Sequence, residues 1–142
     1  MAKLKKQHMT IHWKAIVQDD SSIPATEATL KEKATLVGRI GLMMLSVGTG
    51  AWRVRNSMNK VARCLGITCT ADIGLLAISY TCIEGTDTYT QSISNPTTGV
   101  NTHKLMQLEL FMKEFPDKVS TYSVKHIHEV LDEIQKLPAN YK

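Results

Sequence analysis

Arg53, Asn56, Lys60 and Arg63 recur at helical spacing and share one face of a helix. A guanidinium presents parallel N–H donors that fit a carboxylate or a phosphate, and an amide adds a further donor. The stripe therefore reads as an anion contact or as a structural ion pair. Nucleic acid is a further partner for such a stripe, but recognition of RNA also calls for exposed aromatic rings. The two phenylalanines of the chain both fall on an apolar helix face, and Trp52 beside the stripe suits packing equally well. Gly48-Thr49-Gly50 lies just before the stripe. It lacks the lysine and the further glycine of phosphate and dinucleotide loops, so it reads as a helix stop followed by a restart, with Thr49 capping the second helix.

Other reactive side chains are present without a productive pattern. His126-Ile127-His128-Glu129 resembles a metal box. On a helix its two histidines point about 200° apart, so they do not share one ion. They are expected on the surface, with no metal site. Cys64, Cys69 and Cys82 fit neither a CxxC pair nor a zinc ribbon. Free thiols in a reducing compartment are the expectation, with a Cys69–Cys82 disulfide across neighbouring strands as the alternative. Ser46, Cys69, Asp72 and His103 offer a nucleophile or a base, but no spacing ranks them, and no GxSxG elbow or P-loop occurs. No catalytic residue and no cofactor are expected.

The chain has 142 residues, 43% of them hydrophobic and 21% charged, which suits one globular domain with a real core. Its net charge of +4 is unevenly placed. Residues 1–66 hold 11 Lys/Arg against 4 Asp/Glu, whereas residues 67–142 hold 6 against 9. A basic first half suits an anionic neighbour. The apolar runs Ile40–Trp52 and Ile73–Ile83 fall short of the ~20 residues of a membrane helix, and no secretory h-region follows the basic start.

Residues 1–28 read as a basic, loosely ordered arm, and 29–142 as a single domain. Thr29-Leu30-Lys31-Glu32 matches a capping box opening a helix. That helix is apolar on two sides, with Arg39 its one charge after the first turn, and so is buried between layers. Gly38 and Gly41 mark close approach of another element. A second helix buries Val54, Met58, Val61, Ala62 and Leu65 and stops at Gly66. Ile67–Cys69 reads as a short strand, and 74–94 as a β-hairpin turning at Glu84–Asp87. Asn101 caps a helix over about 102–115, closed by Pro116. Ser123 caps a last helix carrying Ile127, Val130, Leu131, Ile134 and Leu137, which ends at Pro138. The fold class is α+β: two N-terminal helices, a small antiparallel sheet with a β-hairpin, and two C-terminal helices, in the order ααβββαα.

The segment from Leu42 to Gly66, LMMLSVGTGAWRVRNSMNKVARCLG, resembles the N-terminal domain of the threonine/serine exporter family. That family reads as an apolar helix, "S-G-A-x-x-R-V-E", a helix ending "A-x-x-L-G", a sheet region, and a "G-x-N-x-x-K/R-L" segment opening a helix. The last of these is matched by Gly99-Val100-Asn101-Thr102-His103-Lys104-Leu105, and Leu131 and Ile134 follow in the final helix. The resemblance covers about residues 30–137. Two departures occur: Arg55 stands where the family has glutamate, and one extra small residue lies between Ser46 and Ala51.

The resemblance implies a cytosolic domain, at the inner face of the cell membrane, of an exporter of threonine, serine or a related metabolite. Its role would be gating, assembly or substrate sensing. The partner would be a membrane-embedded transporter part in the same or another chain, with homo-oligomerisation open and nucleic acid not expected. Apolar spans would follow in the native chain. Arg53 becomes the key polar residue, with Asn56 and Asn101 near it, making a bidentate contact to a carboxylate of substrate or, preferably, of the protein itself. A small hydrolase-like enzyme and an anion- or nucleic-acid-binding module are the alternatives.

Overall fold

The computed structural model describes residues 23–74, 77–94 and 101–137. Its elements are a 3-10 turn at Ala25–Glu27, α1 (Leu30–Ser46), α2 (Ala51–Cys64), β1 (Thr68–Ile73), β2 (Ala77–Glu84), β3 (Asp87–Ser94), α3 (Thr102–Lys118) and α4 (Val124–Gln135). The three strands form an antiparallel meander in the order β1-β2-β3. The α+β order of two helices, sheet, two helices is as read from the sequence.

Helix α1 is the centre of the molecule. It touches α2, β2, β3 and α4, while α2 also touches β1 and α3. Its two apolar stripes make this possible, because Ala34 and Leu45 are buried on one side and Leu36 and Met43 on the other. The capping box forms: Glu32 N–H donates to Thr29 Oγ1, and Thr29 N–H to Glu32 Oε1, both at 3.3 Å. The two helix glycines are sites of close approach. A Cβ on Gly38 would overlap the phenol of Tyr80, with Cζ only 2.6 Å away. A Cβ on Gly41 would lie 2.5 Å from Met58 Sδ. Tyr80 and Met58 thus seat β2 and α2 directly on the α1 backbone.

Gly48, at φ +95°, ends α1 in a Schellman motif. Its N–H donates to Leu45 O, and Thr49 N–H donates to Met44 O. The Thr49 hydroxyl donates to Met44 O as well, at 2.9 Å. Thr49 therefore closes α1 instead of capping α2, a correction to the sequence reading. The N-cap of α2 is Gly50, which has no side chain to offer. At the far end of α2, Gly66 (φ +78°) repeats the Schellman pattern, with Ile67 N–H donating to Ala62 O.

The sheet corrects the sequence reading in one place. β1 continues through Thr70-Ala71-Asp72, of which Ala71 and Asp72 are weak strand formers, held by pairing with Thr81, Tyr80 and Ser79. Gly74 lies outside both strands, and its N–H donates to Ala77 O. The hairpin therefore starts at Ala77, and β1 joins β2 in a second one. Gly85, at φ +63°, opens a two-residue turn of type II′ shape between Glu84 and Asp87. One sheet face, with Ile78, Tyr80, Cys82 and Ile93, lies in the core. The other is lined by hydroxyls, including a Ser79–Ser92 pair at 2.6 Å and a Thr81–Thr90 pair at 2.9 Å.

Helix α3 passes through Pro116 instead of stopping there. Proline lacks the N–H that would reach Met112 O, but this near the end the helix loses only that bond. The ladder resumes with Val119 N–H donating to Phe115 O at 3.0 Å. Ser123 caps α4 by accepting from His126 N–H. Of the N-terminal arm, residues 1–22 lie outside the described residues. The 3-10 turn after them is docked, with Ala25 fully buried and its N–H donating to Tyr122 O at 2.8 Å. Pro138 and the Gly99–Val100 part of the motif also lie outside the described residues.

Candidate functional site

The most concentrated polar geometry joins α1 to α4. Arg39 is 2% exposed, and its guanidinium brings a charge and five N–H donors into the interior. A buried ion is costly unless its donors are met. Helix α4 meets those of the two terminal nitrogens with His128, Asp132 and Gln135, three side chains at helical spacing on one face. Nη2 donates to Asp132 Oδ1 at 2.6 Å and to Gln135 Oε1 at 2.8 Å. Nη1 lies 2.9 Å from His128 Nδ1 and 3.2 Å from His128 O. Because a guanidinium only donates, His128 Nδ1 is the acceptor in this pair. A second buried cation, Lys33, donates to Glu84 Oε2 at 2.6 Å and ties α1 to the end of β2.

His128 is fully buried, which corrects the expectation of a surface residue. Its neighbour on the opposite side, His126, is half exposed and packs edge-on against Tyr122, with ring centroids 4.3 Å apart. The spacing argument that separates the two rings holds. It did not reveal which ring faces inward, because that depends on where Arg39 lies. Among the described residues no three His, Cys, Asp or Glu side chains gather as a metal-ligand group.

Arg53 donates from Nη2 to Glu109 Oε2 on α3 at 2.6 Å, a single contact with both side chains about half exposed, at 49% and 44%. Its carboxylate partner is thus a residue of the protein. Asn101 accepts from Lys104 N–H at 3.1 Å as the α3 cap, and its own N–H donates to Val47 O at the end of α1. It therefore sits beside the Gly48-Thr49-Gly50 break. Asn56 is exposed on α2, and no hydrogen bond among the described residues links it to Arg53 or Asn101. Trp52 is 66% exposed, so the packing role open to it in the sequence is not the one it takes.

The reactive side chains are dispersed. Ser46 Oγ donates back to Met43 O within α1. Cys69 is buried on the inner face of β1, Asp72 is exposed on the outer face, and His103 lies on α3. No hydrogen bond among the described residues joins any two of them. Cys69 and Cys82 stand directly opposite across β1 and β2, as free thiols. The Cys82 thiol donates to Cys69 sulfur, which lowers the Cys69 pKa and, with burial, raises that of Cys82 far above the usual thiol range. A cavity of about 80 Å³ between Glu27, Glu32, Val124 and Lys125 has room for only about two or three waters.

The family model for threonine/serine exporters, ThrE, matches residues 35–142. The chain belongs to the threonine/serine exporter family. No curated protein and no solved structure matches it. The matched stretch contains the whole Arg39 cluster, the helix break, the sheet and both C-terminal helices of this exporter-family chain. No helix among the described residues is long and apolar enough to cross a membrane.

Arg39 is the residue that sequence reasoning passed over. A signal existed in that one charge interrupts an otherwise apolar helix, and such a charge needs a polar stripe elsewhere to receive it. His128, Asp132 and Gln135 were that stripe.

Proposed function

We propose that this exporter-family chain is a cytosolic domain of a threonine/serine exporter, lying at the inner face of the cell membrane. It acts in assembly or gating of a membrane-embedded part carried by the same or a partner chain. The family match over residues 35–142 carries this reading. A basic arm over 1–28 precedes a single domain over 29–142. Assembly or gating is preferred to catalysis because Ser46, Cys69, Asp72 and His103 are dispersed over three elements and both sheet faces. The buried contact by which Arg39 binds α4 to α1 supports a rigid frame. In this reading Arg53 is the residue at which a substrate carboxylate could replace Glu109, with Asn56 and Asn101 on neighbouring surface.

The test is export of preloaded threonine and serine from cells expressing the native gene. Removing the segment 29–142 is expected to abolish export. Arg53→Ala is expected to change its dependence on internal substrate concentration. Export that proceeds normally without the segment would end the proposal.

A further inference from the structure

We infer that the outer face of α2, together with the exposed end of α3, is a docking surface for an anionic lipid bilayer. Helix α2 uses Val54, Met58, Val61 and Ala62 to pack inward. Its remaining arc carries Arg53, Arg55, Lys60 and Arg63 with Asn56, and the helix contains no acidic residue. At 100° per residue, Trp52, Asn56 and Arg63 fall near the middle of that arc, with Arg55 and Lys60 to either side. Trp52 is the most exposed large hydrophobic residue among those described, at 66%, followed by Met106 at 58% and Leu110 at 48%.

One contact ties together the two helices that carry these three. Arg53 adjoins Trp52 in sequence and binds Glu109, while Met106 and Leu110 lie one turn before and one residue after Glu109 on α3. The pair neutralises Arg53 and leaves Arg55, Lys60 and Arg63 without an acidic neighbour on their own helix. Arg55 also donates to Ala71 O, which holds its stem but keeps its charge. The result is a basic strip on α2 with an exposed indole, tied through Arg53 and Glu109 to the part of α3 that exposes Met106 and Leu110. Tryptophan favours the bilayer–water boundary, and each cation close to an anionic surface strengthens binding about fivefold. A nucleic acid would also welcome the charge, but Met106 and Leu110 provide no stacking surface for bases. Charge complementarity and the exposed apolar trio together favour the lipid surface. The inference draws on the exporter reading only for the presence of a bilayer nearby.

The test uses the full chain carrying Trp13→Phe, so that Trp52 is the one indole, with vesicles of phosphatidylcholine alone or enriched in phosphatidylglycerol. Binding only to the phosphatidylglycerol vesicles, a blue shift of Trp52 emission and weakening with salt are expected. Arg55→Gln with Arg63→Gln should weaken binding by on the order of tenfold or more, while the arm's lysines remain the same in both proteins. Trp52→Phe should retain the salt-dependent component, which guards against loss of fold in the arginine variant, and circular dichroism of each variant checks folding. Unshifted Trp52 emission, equal binding by the arginine variant, or preference for an oligonucleotide over the vesicles would overturn the inference. Because the vesicle assay involves no transport, failure here with intact dependence of export on the domain would leave the exporter reading in place.

Discussion

Arg39 and Asp132 stand 93 positions apart in the chain and meet at 2.6 Å, joining the central helix to the last one. The guanidinium is buried, whereas the carboxylate is 29% exposed. The two partners are therefore unequal. Removing Asp132 leaves a buried charge poorly compensated, while removing Arg39 leaves a carboxylate that water can reach. Asp132→Ala is expected to cost about 2–4 kcal/mol, and Arg39→Met less. Urea unfolding followed by circular dichroism measures both. An Arg39→Met variant less stable than Asp132→Ala would contradict the account.

Gly38 and Tyr80 form a second long-range fit. The Tyr80 hydroxyl donates to Ala34 O at 2.7 Å and lies 2.9 Å from Gln91 Oε1. Gly38→Ala would overpack this contact and cost about 1–3 kcal/mol. Tyr80→Phe should not rescue it, because the ring carbons would still collide. Tyr80→Val in the same chain should recover part of the loss, so a double-mutant cycle is expected to show coupling.

Tyr80 also sets a pH dependence. Burial pushes its phenol pKa far above the ordinary value of 10.0. Raised in the folded state, it stabilises the fold fully below the unfolded pKa. That contribution is lost as pH rises from there toward the folded value. Stability is therefore expected to fall above pH ~10, and the fall should be shallower in Tyr80→Phe. Parallel alkaline unfolding curves for the two proteins would remove Tyr80 as the cause.

Cys69 and Cys82 predict uneven reactivity. The hydrogen bond from Cys82 favours the Cys69 thiolate, and burial opposes it. Cys82→Ala should therefore raise the Cys69 pKa and slow its alkylation severalfold near neutral pH, as read by peptide mapping. Cys64, whose thiol is raised by burial against the pull of Lys60 and Arg63, serves as the internal reference. Faster alkylation of Cys69 in the variant would mean that access, not ionisation, governs the rate.

Arg53 and Glu109 predict a small effect on stability. Their single exposed contact is worth about 0–1 kcal/mol. Arg53→Lys should unfold within that range of the parent in urea. A larger loss would mean that the guanidinium does more than the contact with Glu109 requires.

Local rules determined much of this protein from sequence alone. The Thr29 box, the Gly48 and Gly66 helix ends, the Glu84–Asp87 turn and the Asn101 and Ser123 caps depend on groups within about five positions of each other, so their types and order are sufficient. The two-sided apolar pattern of α1 announced its central place, and Gly38 and Gly41 announced close contacts without naming Tyr80 or Met58. The ordered motif also disclosed the exporter family. What local rules could not reach was pairing across the chain. Thr70-Ala71-Asp72 became strand only because β2 lay beside it, and Pro116 stayed in α3 because it fell where the helix had few bonds left to lose. Arg39, Arg53 and His128 acquired their partners from helix packing, which brings together residues tens of positions apart. A lone buried charge states that a partner exists, and only the packed helices decided that the partner is α4.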